Sequence, residues 1–274
     1  MALYAVISPG GSPGATTTAL AAALSWPDPV LVAECDPSGG SALAGYFAGR
    51  VSATGGLLQA ALEATRDGDS EAVWQHTVAL DASERRLLLP GLADPGHAIQ
   101  LDGAWGTLAS TLAAAPFDVI ADIGRIGGRD APYPLVSGAD LVVMVLAPTL
   151  RHIAAARPRL EALRRASTGG IPLGLCLVGA GPYDRRAVGR ALSVPVLAEL
   201  ADDPRAANVL SDGAASWSGF PRSALMRSAS RLVASMRRHL DGGGHQDQED
   251  HQDLDDLRDP RGRTGRPALT RGER

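Results

Sequence analysis

The sequence has no lysine: all 26 basic side chains among its 274 residues are arginine. Any mechanism built on a lysine amine is thereby excluded, whether the amine acts as a nucleophile, a proton donor or a point charge on phosphate. Cysteine is nearly absent too. Cys35 and Cys176 lie far apart, each inside an apolar run, and read as reduced core thiols of a cytoplasmic protein, not as a disulfide framework. No apolar stretch approaches the roughly 18 residues a membrane span requires. The segment Met1-Ala2-Leu3-Tyr4 puts no basic region ahead of its short apolar run, so neither secretion nor membrane spanning is expected. The net charge of −4 and pI near 5.9 argue against a general nucleic-acid coat, while leaving room for a local basic patch.

What remains is a regular alternation. Apolar, β-branched runs predict strands at Leu3–Ser8, Val30–Cys35, Arg86–Leu89, Phe117–Asp122, Leu141–Leu146, Leu173–Val178 and Pro195–Leu197. Ala/Leu-rich stretches between them predict helices at Ala15–Leu24, Leu57–Ala64, Ser70–Val78, Ala98–Ala114, Leu150–Ala166, Arg185–Leu192 and Pro204–Leu210. The run Leu141-Val142-Val143-Met144-Val145-Leu146 is apolar throughout, as a strand covered on both faces must be. The expected fold class is α/β: a doubly wound, mainly parallel sheet with helices on both faces, as in P-loop NTPases, spanning residues 1–240. A last helix, about Ser223–Leu240, carries Leu225, Met226, Ala229, Leu232, Val233, Met236 and Leu240 on one stripe, with arginines largely elsewhere. From Asp241 the sequence is acidic up to Leu257 and arginine-rich to Arg274. That composition predicts a disordered charged tail over 241–274, with His245 and His251 solvated.

The segment after the first strand carries the most chemistry. Ser8-Pro9-Gly10-Gly11-Ser12-Pro13-Gly14-Ala15-Thr16-Thr17-Thr18 leads directly into an Ala/Leu helix. A glycine-rich turn at a helix N-terminus aims several backbone N–H groups at one point, where the helix dipole adds positive potential, and so suits a phosphate. A working P-loop reads Gly-x-x-x-x-Gly-Lys-Ser/Thr. With its last glycine on Gly14, Thr16 takes the magnesium position, Ala15 replaces the lysine and Pro9 replaces the first glycine.

At these residues the chain resembles the ParA/MinD family of deviant P-loop ATPases, which includes CpaE-like proteins, over roughly residues 1–240. The family loop Lys-Gly-Gly-x-Gly-Lys-Thr corresponds to Gly10 through Thr16, with both lysines missing. Glu34-Cys35-Asp36-Pro37 is similar to the family's Asp-x-Asp-Pro, whose carboxylate lies near the attacking water. Phe117–Asp122 is similar to its Walker B strand. Gly138-Ala139-Asp140 with Ala147-Pro148-Thr149, and Val194–Leu197 with Asp202-Asp203, resemble later segments. Two departures stand out: Val178-Gly179-Ala180 lacks the asparagine that reads adenine, and Leu200-Ala201-Asp202-Asp203 lacks the proline of the segment beside the base.

The resemblance implies ATP or ADP with Mg2+ at Gly10, Gly11, Ser12, Gly14, Ala15, Thr16 and Thr17. It implies metal contacts from Thr16 and Asp122, directly or through water, and a catalytic role for Asp36. It also implies spatial positioning or partitioning of cargo, a homodimer closed across the nucleotide, and a partner protein or ATPase. The Arg-rich helix 222–240 is a candidate surface for DNA or membrane, placing the protein in the cytoplasm or peripherally at membrane or nucleoid. P-loop lysines and arginine fingers stabilise transition-state charge, the latter by factors of roughly 10³ to 10⁵ in rate. A degenerate adaptor or regulator with weak or no hydrolysis is therefore expected. An ATPase in which an arginine replaces the loop lysine stays open, and Arg125, after Asp122-Ile123-Gly124, offers charge near the phosphates. A Rossmann-type dinucleotide site is a third reading, although the strict Gly-x-Gly-x-x-Gly fingerprint is missing and the Tyr-x-x-x-Lys pair of short-chain dehydrogenases is impossible here. The plainest alternatives are a Gly/Pro turn that only joins strand to helix, strand-end carboxylates at Asp36 and Asp122 that only cap turns, and a last helix that only packs.

Overall fold

In a computed structural model, residues 1–11, 14–53, 55–67, 71–128, 130–166 and 170–241 are described. The strands are β1 (Leu3–Ser8), β2 (Val30–Glu34), β3 (Val78–Ala79), β4 (Arg86–Leu89), β5 (Asp118–Arg125), β6 (Leu141–Leu146), β7 (Leu173–Val178) and β8 (Val196–Leu200). The helices are α1 (Ala15–Leu24), α2 (Leu57–Asp67), α3 (Ala72–Gln75), α4 (Trp105–Ala113), α5 (Tyr133–Ser137), α6 (Leu150–Ala166), α7 (Arg185–Leu192), α8 (Pro204–Ser211) and α9 (Ala224–Asp241), with short 3-10 turns at Pro95–Leu101 and Phe220–Arg222. One sheet runs in the order β3-β4-β2-β5-β1-β6-β7-β8, and only the β3–β4 pairing is antiparallel.

Side-chain alternation along the strands divides the core into two layers. Leu3, Ala5 and Ile7 of β1 face a layer closed by α2, α4, α5, α6 and α7, whereas Tyr4 and Val6 face α1, α8 and α9. α1 is apolar almost all round because it lies between the sheet and the pair α8 and α9, and its run of alanines lets the backbones approach closely. The helix after β1 thus goes to one face of the sheet, while those after its neighbours β5 and β6 go to the other. That divergence opens a crevice above the C-terminal end of β1, where ligands of open α/β sheets bind.

Most predicted elements coincide with observed ones, and the exceptions have physical reasons. The helix expected over Ser70–Val78 shrinks to four residues, because Val78 pairs with Leu88 as a two-residue edge strand. The helix expected over Ala98–Ala114 is split. A 3-10 turn forms first, started by Pro95 and capped by the Asp94 carboxylate on the Gly96 N–H at 2.8 Å, and α4 begins only at Trp105. β5 runs past Asp122 to Arg125 because a bulge between Asp122 and Gly124 restores pairing of Gly124 with Ile7 and Arg125 with Ser8. The last strand is Val196–Leu200, later and longer than Pro195–Leu197. The charged tail expected over 241–274 lies outside the described residues apart from Asp241, which ends α9.

α9 resolves into two surfaces. Leu225, Met226, Ala229, Leu232, Val233 and Met236 are buried against β8, α1 and α8, so its apolar stripe is already covered. Arg227, Arg231 and Arg238 are exposed, and at 100° per residue they fall within about 40° of one another around the helix. Arg237 instead pairs with Asp28 at 2.9 Å. Leu232→Ala should therefore destabilise the protein by about 2–5 kcal/mol. Replacing Arg227, Arg231 and Arg238 by serine should change stability by about 0.5 kcal/mol or less per site. Urea unfolding followed by tryptophan fluorescence measures both.

Candidate functional site

The loop that leaves β1 ends at Gly14, which caps α1 in the left-handed region at φ 80°. A side chain there is strained, and glycine removes the strain. The first helical hydrogen bond is donated by Thr18 N–H to the Gly14 carbonyl at 2.8 Å. Among the described residues, the N–H groups of Ala15, Thr16 and Thr17 find no backbone acceptor, as at any helix start without a side-chain cap. Positions where a Cβ would sit on Gly10, Gly11 and Gly14 face open space. The turn is thus open, with its donors available. Ser8, Gly10, Gly11, Gly14, Ala15, Thr16, Thr17, Asp36, Gly124 and Arg125 line a cleft of about 210 Å3 above it. Ser12, expected to contribute, lies outside the described residues.

Two carboxylates meet the loop. The Thr16 hydroxyl hydrogen-bonds the Asp122 carboxylate, which also accepts the Gly124 N–H at 3.1 Å. Burial pushes the Asp122 carboxyl up to about 7; the Thr16 and Gly124 hydrogen bonds oppose that rise, and the charges of Glu34 and Asp36 add to it. Asp36 sits at the rim, where its carboxylate accepts the Ser38 N–H at 2.8 Å. It packs onto Gly124 so closely that a Cβ on that glycine would lie within the carboxylate group. Gly124 has φ 64°, so the site requires glycine there for two separate reasons.

Glu34 plays a different part from its neighbour. It is buried and accepts N–H groups from Ser41 at 2.7 Å, Ala42 at 2.9 Å and Gly91 at 3.1 Å. These bonds tie the loop that carries Asp36 to the loop after β4. The Cys35 thiol between the two acids is raised well above its usual range by burial, and the carboxylates of Asp122, Glu34 and Asp36 raise it further, so it stays protonated.

Arg125 is the sole cation among the described lining residues. It stands beside Ser8 on the neighbouring strand, is exposed, and also borders a second cleft of about 450 Å3 with Asp36, Pro95 and Asp130. The sequence points to Arg125 through its place after the acidic strand end, but Gly124 and the bulge that set its position carry no signal beyond a glycine following an acid.

Other residues singled out in the sequence lie elsewhere. Asp140 accepts the Leu3 N–H at 2.8 Å at the N-terminal ends of β1 and β6, away from the cleft. Asp203 caps α8 through Ala206 N–H at 3.1 Å and accepts the Ala224 N–H of α9 at 3.1 Å, so its carboxylate is engaged in structure. A larger cleft of about 480 Å3 lies at the N-terminal ends of β1 and β5. There Asp118 accepts the Trp26 indole N–H at 2.9 Å and Arg237 pairs with Asp28.

No protein-family model matches this chain, and no curated protein does. Solved structures do. The chain is similar to a ParA family ATPase from Chlorobium tepidum, with TM-score 0.67 and 14% identity over 85% of this chain and 97% of that one. The septum site-determining protein MinD from Pyrococcus horikoshii, solved with Mg-ADP, gives TM-score 0.68 and 19% identity over 85% and 94%. A putative plasmid partition protein from Borrelia burgdorferi bound to AMPPNP gives 0.66 and 12% over 87% and 99%. The fold is therefore ParA/MinD-like, an α/β sheet of the P-loop NTPase type. No described helix is long and apolar enough to cross a membrane.

The Asp122 carboxyl makes stability depend on pH. Its folded value of about 7 lies above the unfolded 3.8, so the folded state holds a proton more tightly. The corresponding stabilisation is complete below about pH 4 and is lost as pH rises through about 7. Between those limits the wild type should lose roughly 2–4 kcal/mol more than Asp122→Asn. Urea midpoints of the two proteins at both ends of that window decide it, and equal pH dependence would remove Asp122 as the cause.

Proposed function

We propose that this protein is a nucleotide-responsive positioning or partitioning factor of the ParA/MinD type, with weak or no ATP hydrolysis, acting as an adaptor or regulator. The observation that carries the reading is the open turn at Gly14, which presents amides without main-chain acceptors beside Thr16, Asp36 and Asp122 and has no ammonium in the loop. Gly10, Gly11, Ser12, Gly14, Ala15, Thr16 and Thr17 form the phosphate cradle in this reading. The MinD solved with Mg-ADP and the partition protein solved with AMPPNP support the choice of adenine nucleotide.

The donor set fits Mg2+ held jointly with phosphate. Such an ion keeps several waters and needs only one or two protein contacts. Thr16 and Asp122, already hydrogen-bonded to each other, would supply them directly or through water. The ion would neutralise charge on the phosphate oxygens. Asp36, at the rim, would orient a water. Without a loop lysine, transition-state charge is poorly matched, and this is why hydrolysis is weak.

Pairing of two chains across the nucleotide has its own support. Ile99 and Leu150 are 78% and 65% exposed, and Tyr133 and Tyr183 are also exposed. All four follow the C-terminal ends of strands, on the edge that carries the cleft. An Aquifex aeolicus relative in fold was solved as a MinC:MinD complex, which supports a partner protein here as well.

Mg-ATP and Mg-ADP should raise the melting temperature in proportion to the logarithm of concentration, because a ligand of the folded state stabilises by mass action. Hydrolysis by the same preparation should be near the uncatalysed rate. Robust hydrolysis abolished by Asp36→Ala would instead establish an active ATPase with an arginine in the lysine's place. Absence of any nucleotide shift would end the nucleotide reading.

The arginine row on α9 supports docking on an anionic polymer in preference to insertion into a bilayer, since the apolar stripe is buried. Reversing Arg227, Arg231 and Arg238 to glutamate should reduce retention on DNA at least tenfold at low salt and leave melting unchanged. Retention that does not change would remove α9 from docking.

A further inference from the structure

The cleft above the loop is lined by one carboxylate, Asp36, and one cation, with the buried Asp122 carboxyl behind Thr16. An anion entering it therefore needs a positive partner that the loop does not supply. Arg125 is placed to be that partner. The bulge at Ile123 brings it level with Ser8, the last residue before the loop, one strand over. Gly124, at φ 64°, turns the chain just before it. No hydrogen bond or ion pair joins the Arg125 guanidinium to any described residue, whereas the nearby Arg159 is tied to the Ile126 carbonyl at 2.8 Å and the Ala155 carbonyl at 2.7 Å. A guanidinium that is exposed, unpaired and lining a cleft of open amides has an unmet preference for two oxygens in one plane, which phosphate satisfies.

The volume narrows the ligand. The cleft, about 210 Å3 and open to solvent, has room beside the loop for a short phosphate chain, with any further part of the ligand left outside it. We infer that Arg125 is the phosphate-binding cation of this site, reaching from the end of β5 to replace the missing loop lysine, and that the unit held between it and the loop amides is a diphosphate. The assignment rests on the anion-binding reading above and specifies which side chain carries the charge and which part of the ligand it meets. It also explains how a lysine-free P-loop retains an anion site: the charge has moved from the loop to the adjacent strand.

The test uses the full chain, with inorganic pyrophosphate and Mg-ATP as separate probes in thermal-shift and calorimetric titrations. Wild type should bind both. Arg125→Ala should weaken pyrophosphate at least tenfold, Arg125→Lys should recover part of the loss, and neither should shift the ligand-free melting temperature. Affinity should also fall less steeply with salt in Arg125→Ala, a change that a purely structural residue would not produce. Wild-type affinity in Arg125→Ala would overturn the assignment while leaving the anion site standing. Failure of wild type to bind either probe would overturn the anion site itself, and the assignment with it.

Discussion

Main-chain donors that lack main-chain acceptors are the constraint on which this site depends. A helix start always leaves several N–H groups unmatched, and most helices satisfy them with a serine, threonine or aspartate cap. Asp184 and Asp203 do this for α7 and α8. α1 has no such cap. Gly14 in the left-handed region closes the turn without offering an oxygen, so the amides of the first turn stay turned toward the crevice above β1. Their position is fixed by burial on all sides: α1 is held by the sheet beneath and by α8 and α9 outside. The anion cradle is thus a consequence of how tightly the helix behind it is packed.

The charges around those amides are arranged against an anion unless something intervenes. Asp36 borders the cleft and Asp122 lies buried behind Thr16, where burial disfavours its ionised form. Its carboxyl answers by holding a proton to about pH 7, which removes one of the two repulsive charges without any ligand. A magnesium ion arriving with phosphate would do the same work by a different route. Either way, in the proposed reading the cradle would accommodate phosphate only once the acid beneath it is neutralised, which would couple the anion site to pH and to divalent cation. Glu34 enters that balance only through its charge, which raises Asp122 further; its carboxylate is satisfied by three backbone N–H groups and holds the Asp36 loop in place.

The fold was largely legible in the sequence because it rests on period and composition. A fully apolar β6 and the alternation of strand and helix segments require a sheet covered on both faces, and that is the architecture found. The departures lie where local signals are short. Val78 read as the end of a helix because two residues of edge strand give no pattern, and Ala98–Ala114 read as one helix although a 3-10 turn and α4 divide it between Leu101 and Trp105. For the site, Gly14, Thr16, Asp36 and Asp122 were identifiable by spacing, since the turn chemistry is local. The separate duties of Glu34 and Asp36 were not, because two carboxylates two residues apart look alike until their partners are known. Nor could Asp203 be recognised as a double cap, since one of its two helices begins more than twenty residues later.

The lack of lysine changes the geometry of charge more than its amount. An ammonium on a loop is a flexible point charge that follows its ligand. A guanidinium is a planar fork that must arrive at the correct angle. Rooting it at the end of β5, where Arg125 pairs with Ser8 of β1, would make its point of departure the sheet instead of the loop. The same substitution makes catalysis harder than binding. In the proposed reading the fork would match the oxygens of a resting diphosphate, whereas a phosphoryl group that loosens from its leaving oxygen would need the charge to follow it. A site built this way favours holding an anion over turning it over, which is the property an adaptor that reports nucleotide state requires.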